Sequence, residues 1–232
     1  MKRFYKNVAV VAGDGGHRIE LDGRPVRTPG KRLLEVSSAP LADAIAGEWR
    51  EQGDDIDPAS MGLMQLAATA IDRIADERES IAAQIAGYGC TDLLCYRAEF
   101  PEDLAEIQAS SWQPLLDWLE GEIGARLIPT IGISAIDQPE ASIEAIRGAV
   151  DEHDDFELAV LSVLTPLGGS VVTGLAVTRG RIDSATAFEV TQVDETYQIG
   201  KWGLDSEAEI RRENIRREML AAERFLKLYR AG

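Results

Sequence analysis

Forty carboxylates and only two histidines bound the chemistry open to this 232-residue chain. His17 and His153 belong to no His-Glu-x-x-His run, so a helix-borne zinc site of that kind is excluded. Gly168-Gly169-Ser170 lacks the nucleophile-elbow pattern and a histidine partner, which removes the familiar serine triad. Gly13-Asp14-Gly15-Gly16 shares only its glycines with a phosphate-cradling loop; no Lys-Ser/Thr follows and no helix begins there, so a hairpin turn is expected. Asp151 to Glu157 is the densest group of possible metal ligands, but it lacks the alternating oxygens and central glycine of a calcium loop. It reads as a linker, with Asp154 or Asp155 capping the next helix. Cys90 and Cys95 fit neither a redox nor a zinc spacing and are expected to be reduced, buried small hydrophobes. Asp194-Glu195 is the acid pair most worth weighing, yet helical neighbours diverge by about 100° and cannot flank one substrate atom. No catalytic residue, metal or cofactor is expected.

The charge balance narrows the partners. Twenty-four Lys and Arg face forty Asp and Glu, a formal net charge of −16. Residues 1–35 are net +4 and residues 205–232 net +1, so residues 36–204 carry −21. Such acidity argues against nucleic acid or an anionic membrane as a partner. Leu158 to Thr178 is uncharged over 21 residues, long enough to span a bilayer core. Pro166 and Gly168-Gly169 interrupt it, and two short buried helices are the better expectation. The start, Met1-Lys-Arg-Phe-Tyr-Lys6, has no apolar signal-peptide core and is not a long organelle leader, and with two reduced thiols a bacterial cytoplasm is the expectation.

The elements that would position any site follow from periodicity. Val8–Val11, Arg18–Leu21, Arg24–Arg27 and Leu33–Val36 read as strands, and Asp22-Gly23 supplies a tight hairpin turn. A helix over residues 40–52, with Leu41, Ile45 and Trp49 on one stripe, should cover that sheet. Leu63, Leu66, Ala70 and Ile74 mark the next helix, and Ile81, Ile85 and Tyr88 another. A long helix opening at Pro101 should turn Leu104, Ile107, Ser111, Leu115, Trp118 and Leu119 inward. Trp112 and Trp118 then need different environments. Thr130–Ser134 is the one later stretch expected to be extended. Further helices are expected over 140–150, 156–165, 169–178 and 184–199. The last should start at a Ser206-x-x-Glu209 capping box and bury Ile215, Met219, Ala222, Leu226 and Tyr229. Glu207–Arg211, Glu213–Arg217 and Glu223–Lys227 are spaced for i,i+4 pairing along it. The expected fold is α+β: a small N-terminal antiparallel β-meander with a helix over residues 1–57, then a larger, mainly α-helical domain over 58–232. A boundary as late as about 90 is the alternative.

Taken in order, several segments carry a resemblance over nearly the whole chain. They are Arg3-Phe-Tyr-Lys6, Leu21-Asp-Gly-Arg-Pro-Val-Arg-Thr-Pro29, Glu48-Trp49 with Gln52-Gly53, and Thr69-Ala-Ile-Asp72. Asp92-Leu-Leu-Cys-Tyr-Arg-Ala98, Trp112-x-Pro-Leu-Leu-Asp-Trp118, Gly169-Ser170 and the run Asp194-Glu195…Tyr197-Gln198…Trp202-Gly203 complete them. The sequence resembles the assembly chaperones of the F-type ATP synthase α subunit. The one departure is Leu204, where an acid is expected after Trp-Gly; Asp205 and Glu207 follow it. The resemblance implies a non-enzymatic, monomeric chaperone that shields the β-facing apolar surface of the free α subunit and leaves when the catalytic head assembles. It points to Glu195, with Asp194, Trp202 and Asp205, as the client-binding cluster. Against it stand a carboxylate enzyme for a small basic or sugar-like substrate and an adaptor that never releases its client. A purely structural role for Glu195, paired with Arg211 or Arg212, is the competing reading of that residue.

Overall fold

The computed structural model describes residues 1–134, 136–203 and 205–232, so Leu204 lies outside the described residues. These residues cluster into two compact units. The first holds Met1–Arg78, Asp155–Val160 and Ala221–Gly232; the second holds Glu79–Asp154 and Leu161–Leu220.

In the first unit, β1 (Val8–Gly13) and β2 (Gly16–Leu21) form an antiparallel hairpin, with β3 (Arg24–Pro25) and β4 (Glu35–Val36) both paired to β2. Gly13–Gly16 is the expected turn. Asp22 and Gly23 have φ of 49° and 77°, the paired positive values that a tight hairpin turn needs and that glycine tolerates. Across the sheet lies α1 (Ala39–Arg50), capped by the Ser38 hydroxyl, which accepts from the Leu41 N–H. Leu41, Ile45 and Trp49 are buried as the stripe predicts. The next helix is α2 (Gly62–Ala68), continued by a π-helical segment Thr69–Ile74, and it buries Leu63, Leu66, Ala70 and Ile74.

Several resemblance-carrying residues are fasteners here. The Glu48 carboxylate accepts from the backbone N–H groups of Leu63 and Met64, both at 2.8 Å, capping α2 from a distance. Burial pushes its pKa up while those two donors hold it down. Gln52 accepts from Asp57 N and donates to Ser60. Asp72 accepts from the Thr28 hydroxyl (2.6 Å) and from Gly30 N (2.7 Å), pinning the Thr28-Pro29-Gly30 turn. Gly30 passes so close that a Cβ there would lie 2.6 Å from the Asp72 carboxylate.

The helices that follow are α3 (Ala75–Gly87), α4 (Glu102–Ile123), α5 (Glu140–Asp151), α6 (Asp155–Gly168), α7 (Val171–Thr178), α8 (Ser184–Thr191), α9 (Val193–Trp202) and α10 (Ser206–Arg230). The start of α3, the start of α6 and the end of α10 belong to the first unit and the rest to the second. A two-residue parallel ladder joins β5 (Tyr96–Arg97) to β6 (Thr130–Ile131), so only the first two residues of the expected extended stretch pair. The apolar run forms two helices as expected, but Pro166 does not end the first: α6 continues through it to Gly168, and the break falls at Gly169, whose φ is +64°. Among the described residues, no helix is long and apolar enough to cross a membrane. The fold is α+β, a small N-terminal antiparallel region followed by a mainly helical remainder.

Four expectations are corrected. The buried stripe of α4 is Gln108, Trp112, Leu115, Leu116 and Leu119, leaving Ile107 44% exposed and Ser111 and Trp118 only half-buried. The Trp112 indole N–H finds Val190 O at 2.8 Å, and this anchor sets the helix's rotation. The 184–199 helix is two helices, broken at Gln192 (φ −106°, ψ 18°). Cys90 is exposed, while Cys95 is buried with its thiol pushed up to about 12 by burial. Finally, Glu223–Lys227 forms at 2.6 Å as spaced, but Arg211 turns to Glu195 and Arg217 to Asn214 instead of their i−4 acids.

Candidate functional site

The acidic linker resolves into structural roles. His153 is buried, with Nε2 2.8 Å from the Thr178 hydroxyl and Nδ1 3.0 Å from Ala149 O. Asp155 pairs with Arg78 at 2.6 Å. Among the described residues, no three His, Cys, Asp or Glu side chains are grouped to hold a metal.

The four residues singled out by sequence all lie on α9 and the entry to α10, in different surroundings. Asp194 faces inward: its carboxylate accepts from the Gln108 amide at 2.6 Å. Gln108 itself is buried, accepts from Ala98 N at 2.7 Å, and its carbonyl receives the Arg97 guanidinium at 2.9 Å. The first turn of α9 is thereby tied to β5 through one side chain. Glu195 is gripped by two cations, Arg211 on one oxygen and Arg212 at 3.4 Å on the other, and keeps 23% side-chain exposure. Asp205 caps α10. Its Oδ1 accepts from Glu207 N and Ala208 N, both at 2.9 Å, and so takes the place given by sequence to Ser206. A carboxylate at this position also meets the positive end of the helix dipole. Asp205→Ala should therefore cost about 0.5–2 kcal/mol of stability, read from urea unfolding. Trp202 differs from all three. It ends α9 with 79% of its surface exposed, before Gly203 at φ +86° turns the chain.

Around these residues lies an apolar groove that sequence reasoning missed. Two adjoining hollows, of about 550 and 580 Å³, share Phe188, Arg212 and Arg216. Arg212 stacks over the Phe188 ring at 5.2 Å and reaches Thr196 (3.1 Å) and Gln192 (3.3 Å). Ile107, Val193 and Tyr197 line one end and Ile210, 63% exposed, the other. On the rim, the Tyr197 hydroxyl donates to Asp103 at 2.6 Å, with Lys201 at 3.4 Å from the same carboxylate. That bond raises Tyr197 and lowers Asp103 from their ordinary values. A signal for Ile210 was present. It lies about 180° around the helix from Met219, an isoleucine on the face otherwise left to charge.

The model of the ATP12 chaperone protein family matches residues 2–120. The chain belongs to that family. Over 98% of its length it superposes on the crystal structure of Atp12 from Paracoccus denitrificans, covering 98% of that chain, with a TM-score of 0.93 and 41% identity. The crystal structure of the Atu1473 protein from Agrobacterium tumefaciens matches 97% of this chain and 85% of its own, at 37% identity and a TM-score of 0.93. Mitochondrial protein atp12 of Schizosaccharomyces pombe is 27% identical over 234 residues, 95% of this chain and 80% of that one. The matched residues 2–120 contain Glu48, Gln52, Asp72, Asp92 and Trp112, side chains that fasten backbone from within.

Proposed function

We propose that this ATP12-family protein is a monomeric, non-catalytic chaperone of ATP synthase assembly in a bacterial cytoplasm. Its client is the free α subunit, whose β-facing apolar surface it covers until the catalytic head forms. The observation that carries this reading is Trp202. A tryptophan with 79% of its surface in water, at a helix end with Asp205 in the next cap, gains little from its own fold. Large aromatics supply much of the binding energy where proteins meet. The proposed client-binding cluster is Glu195 with Asp194, Trp202 and Asp205. Asp194 fixes the first turn of α9 and Asp205 the start of α10, and Glu195 and Trp202 are the proposed contacts.

Release demands a modest interface. About 800 Å² per partner with a micromolar Kd, about −8 kcal/mol, is strong enough to hold and weak enough to displace. The test mixes the purified protein with isolated α and isolated β subunits and follows complexes by size-exclusion chromatography. The expected result is a complex with α alone that disappears when β is added. Binding to neither subunit would overturn the proposal, and a complex with α that persists beside β would make the protein an adaptor.

A further inference from the structure

We propose that the groove floored by Phe188 receives an apolar segment of the client that carries lysine or arginine at its flank. The inference rests on the client-holding function proposed above and specifies the chemistry of what is held. Two features of the groove lead to it. Ile107 and Ile210 remain 44% and 63% exposed at its two ends, so water covers apolar surface that an apolar side chain would cover better. The second feature is charge. Five ionic side chains line the groove: Glu189, Glu209, Glu213, Arg212 and Arg216. Arg212 is matched by Glu195 at 3.4 Å. Among the described residues the other four form no ion pair, so three carboxylates face one arginine.

An acidic rim about an apolar floor sets both affinity and orientation. The apolar contact drives binding, and the carboxylates accept a flanking cation while repelling an acidic flank. The walls come from α4, α8, α9 and the 206–216 part of α10, all within the second unit, so the groove exists before the client arrives. A segment that docks there orders itself without reordering its host, which lowers the cost of holding it.

Two fluorescein-labelled amphipathic leucine–alanine peptides test the proposal by anisotropy, one flanked by lysines and its twin by glutamates. The lysine-flanked peptide should bind about tenfold more tightly than its twin, and added salt should narrow the gap. Glu189→Lys/Glu209→Lys/Glu213→Lys should reverse that order. Ile107→Ser/Ile210→Ser, at two positions already open to water, should weaken both peptides and reduce capture of the α subunit at an unchanged Tm. Equal or tighter binding of the glutamate-flanked peptide overturns the proposal. So does undiminished capture of α by the serine variant, or a dimer of the unmodified protein that the serine variant dissolves. If the unmodified protein captures no α subunit, the α-chaperone reading fails, and the ranking of the two peptides still decides the groove.

Discussion

Replacing Asp92 by alanine should lower the unfolding free energy by about 3–5 kcal/mol, because it strands several buried donors at once. Asp92 has no exposed surface. Its carboxylate accepts from Leu94 N and Val172 N, both at 3.1 Å, and from Ser170 and Val171. It thus joins the Leu93–Cys95 turn to the N-terminus of α7, where the helix dipole favours a negative group. An alanine leaves those N–H groups facing a cavity, and each unsatisfied donor costs about 1–3 kcal/mol. Burial nonetheless dominates the proton equilibrium: desolvation pushes Asp92 up to about 6 against the pull of its four donors. The folded state therefore holds this proton more tightly than the unfolded chain does. Stabilisation tied to that proton is complete below the ordinary 3.8 and is lost as pH rises through about 6. Its size is on the order of 3 kcal/mol. The asparagine variant cannot titrate, so its stability relative to the parent should change steadily between about pH 4 and 6 and level off above about pH 7. Urea unfolding across that range measures it. Parallel curves for the two proteins would show that Asp92 stays ionised throughout.

What sequence made legible was whatever local chemistry decides. Asp22-Gly23 makes its turn wherever it stands, because its backbone needs only itself. Leu41, Ile45 and Trp49 form an uninterrupted stripe, and the helix that carries them has one apolar side to bury. The restart of the chain as α10 at Ser206 was equally local. The misreadings arose where a distant partner chose between near-equal options. Ile107 and Trp112 lie five residues apart, about 140° around α4, and either could have led the buried face. Val190, 78 residues away, settles it by accepting the indole N–H. The break at Gln192 has no glycine or proline to announce it; Arg212, from another helix, gathers Gln192, Glu195 and Thr196 there. Capping chose Asp205 over Ser206, adjacent residues of types that both make N-caps, although only Ser206 has a glutamate three residues on. The groove was hidden for the same reason. Its walls are residues of four helices, and no window along the chain contains them together.

Glu195→Lys should weaken binding of the α subunit by about 2–5 kcal/mol, the range for removing one partner of a buried charge contact and leaving a like charge in its place. The ion pairs in the structure make the control as important as the variant. Glu195 already serves Arg211 and Arg212, so a lysine there puts three cations together at the junction of α9 and α10. Arg211 is 65% exposed and its repulsion is screened, but Arg212 is only 17% exposed, so part of that repulsion is poorly screened and some fall in Tm is expected from it alone. A Tm close to that of the parent with lost capture of α would support Glu195 as part of the client-binding cluster. A large fall in Tm, with normal capture by the fraction still folded, would make Glu195 a structural residue and remove it from the site. The charge-swapped pair Glu195→Arg/Arg211→Glu separates the two readings further. It restores the pair with residue 211 but leaves a cation at residue 195 beside Arg212, so it should restore Tm in part in either case. Capture of α returns only if the pair, and not a negative charge at residue 195, is what binding needs. Trp49→Ala calibrates the stability scale. Trp49 is 9% exposed, packs edge-on against Tyr5 at 5.6 Å, and gives its carbonyl to the Tyr5 hydroxyl at 2.6 Å. Its truncation should cost about 3–5 kcal/mol of stability. Trp49 lies outside the proposed cluster, so the folded molecules of that variant should still capture α. If Trp49→Ala abolished capture at temperatures where it remains folded, the client-binding surface would have to include the first unit, and the assignment to α9 and α10 would fall.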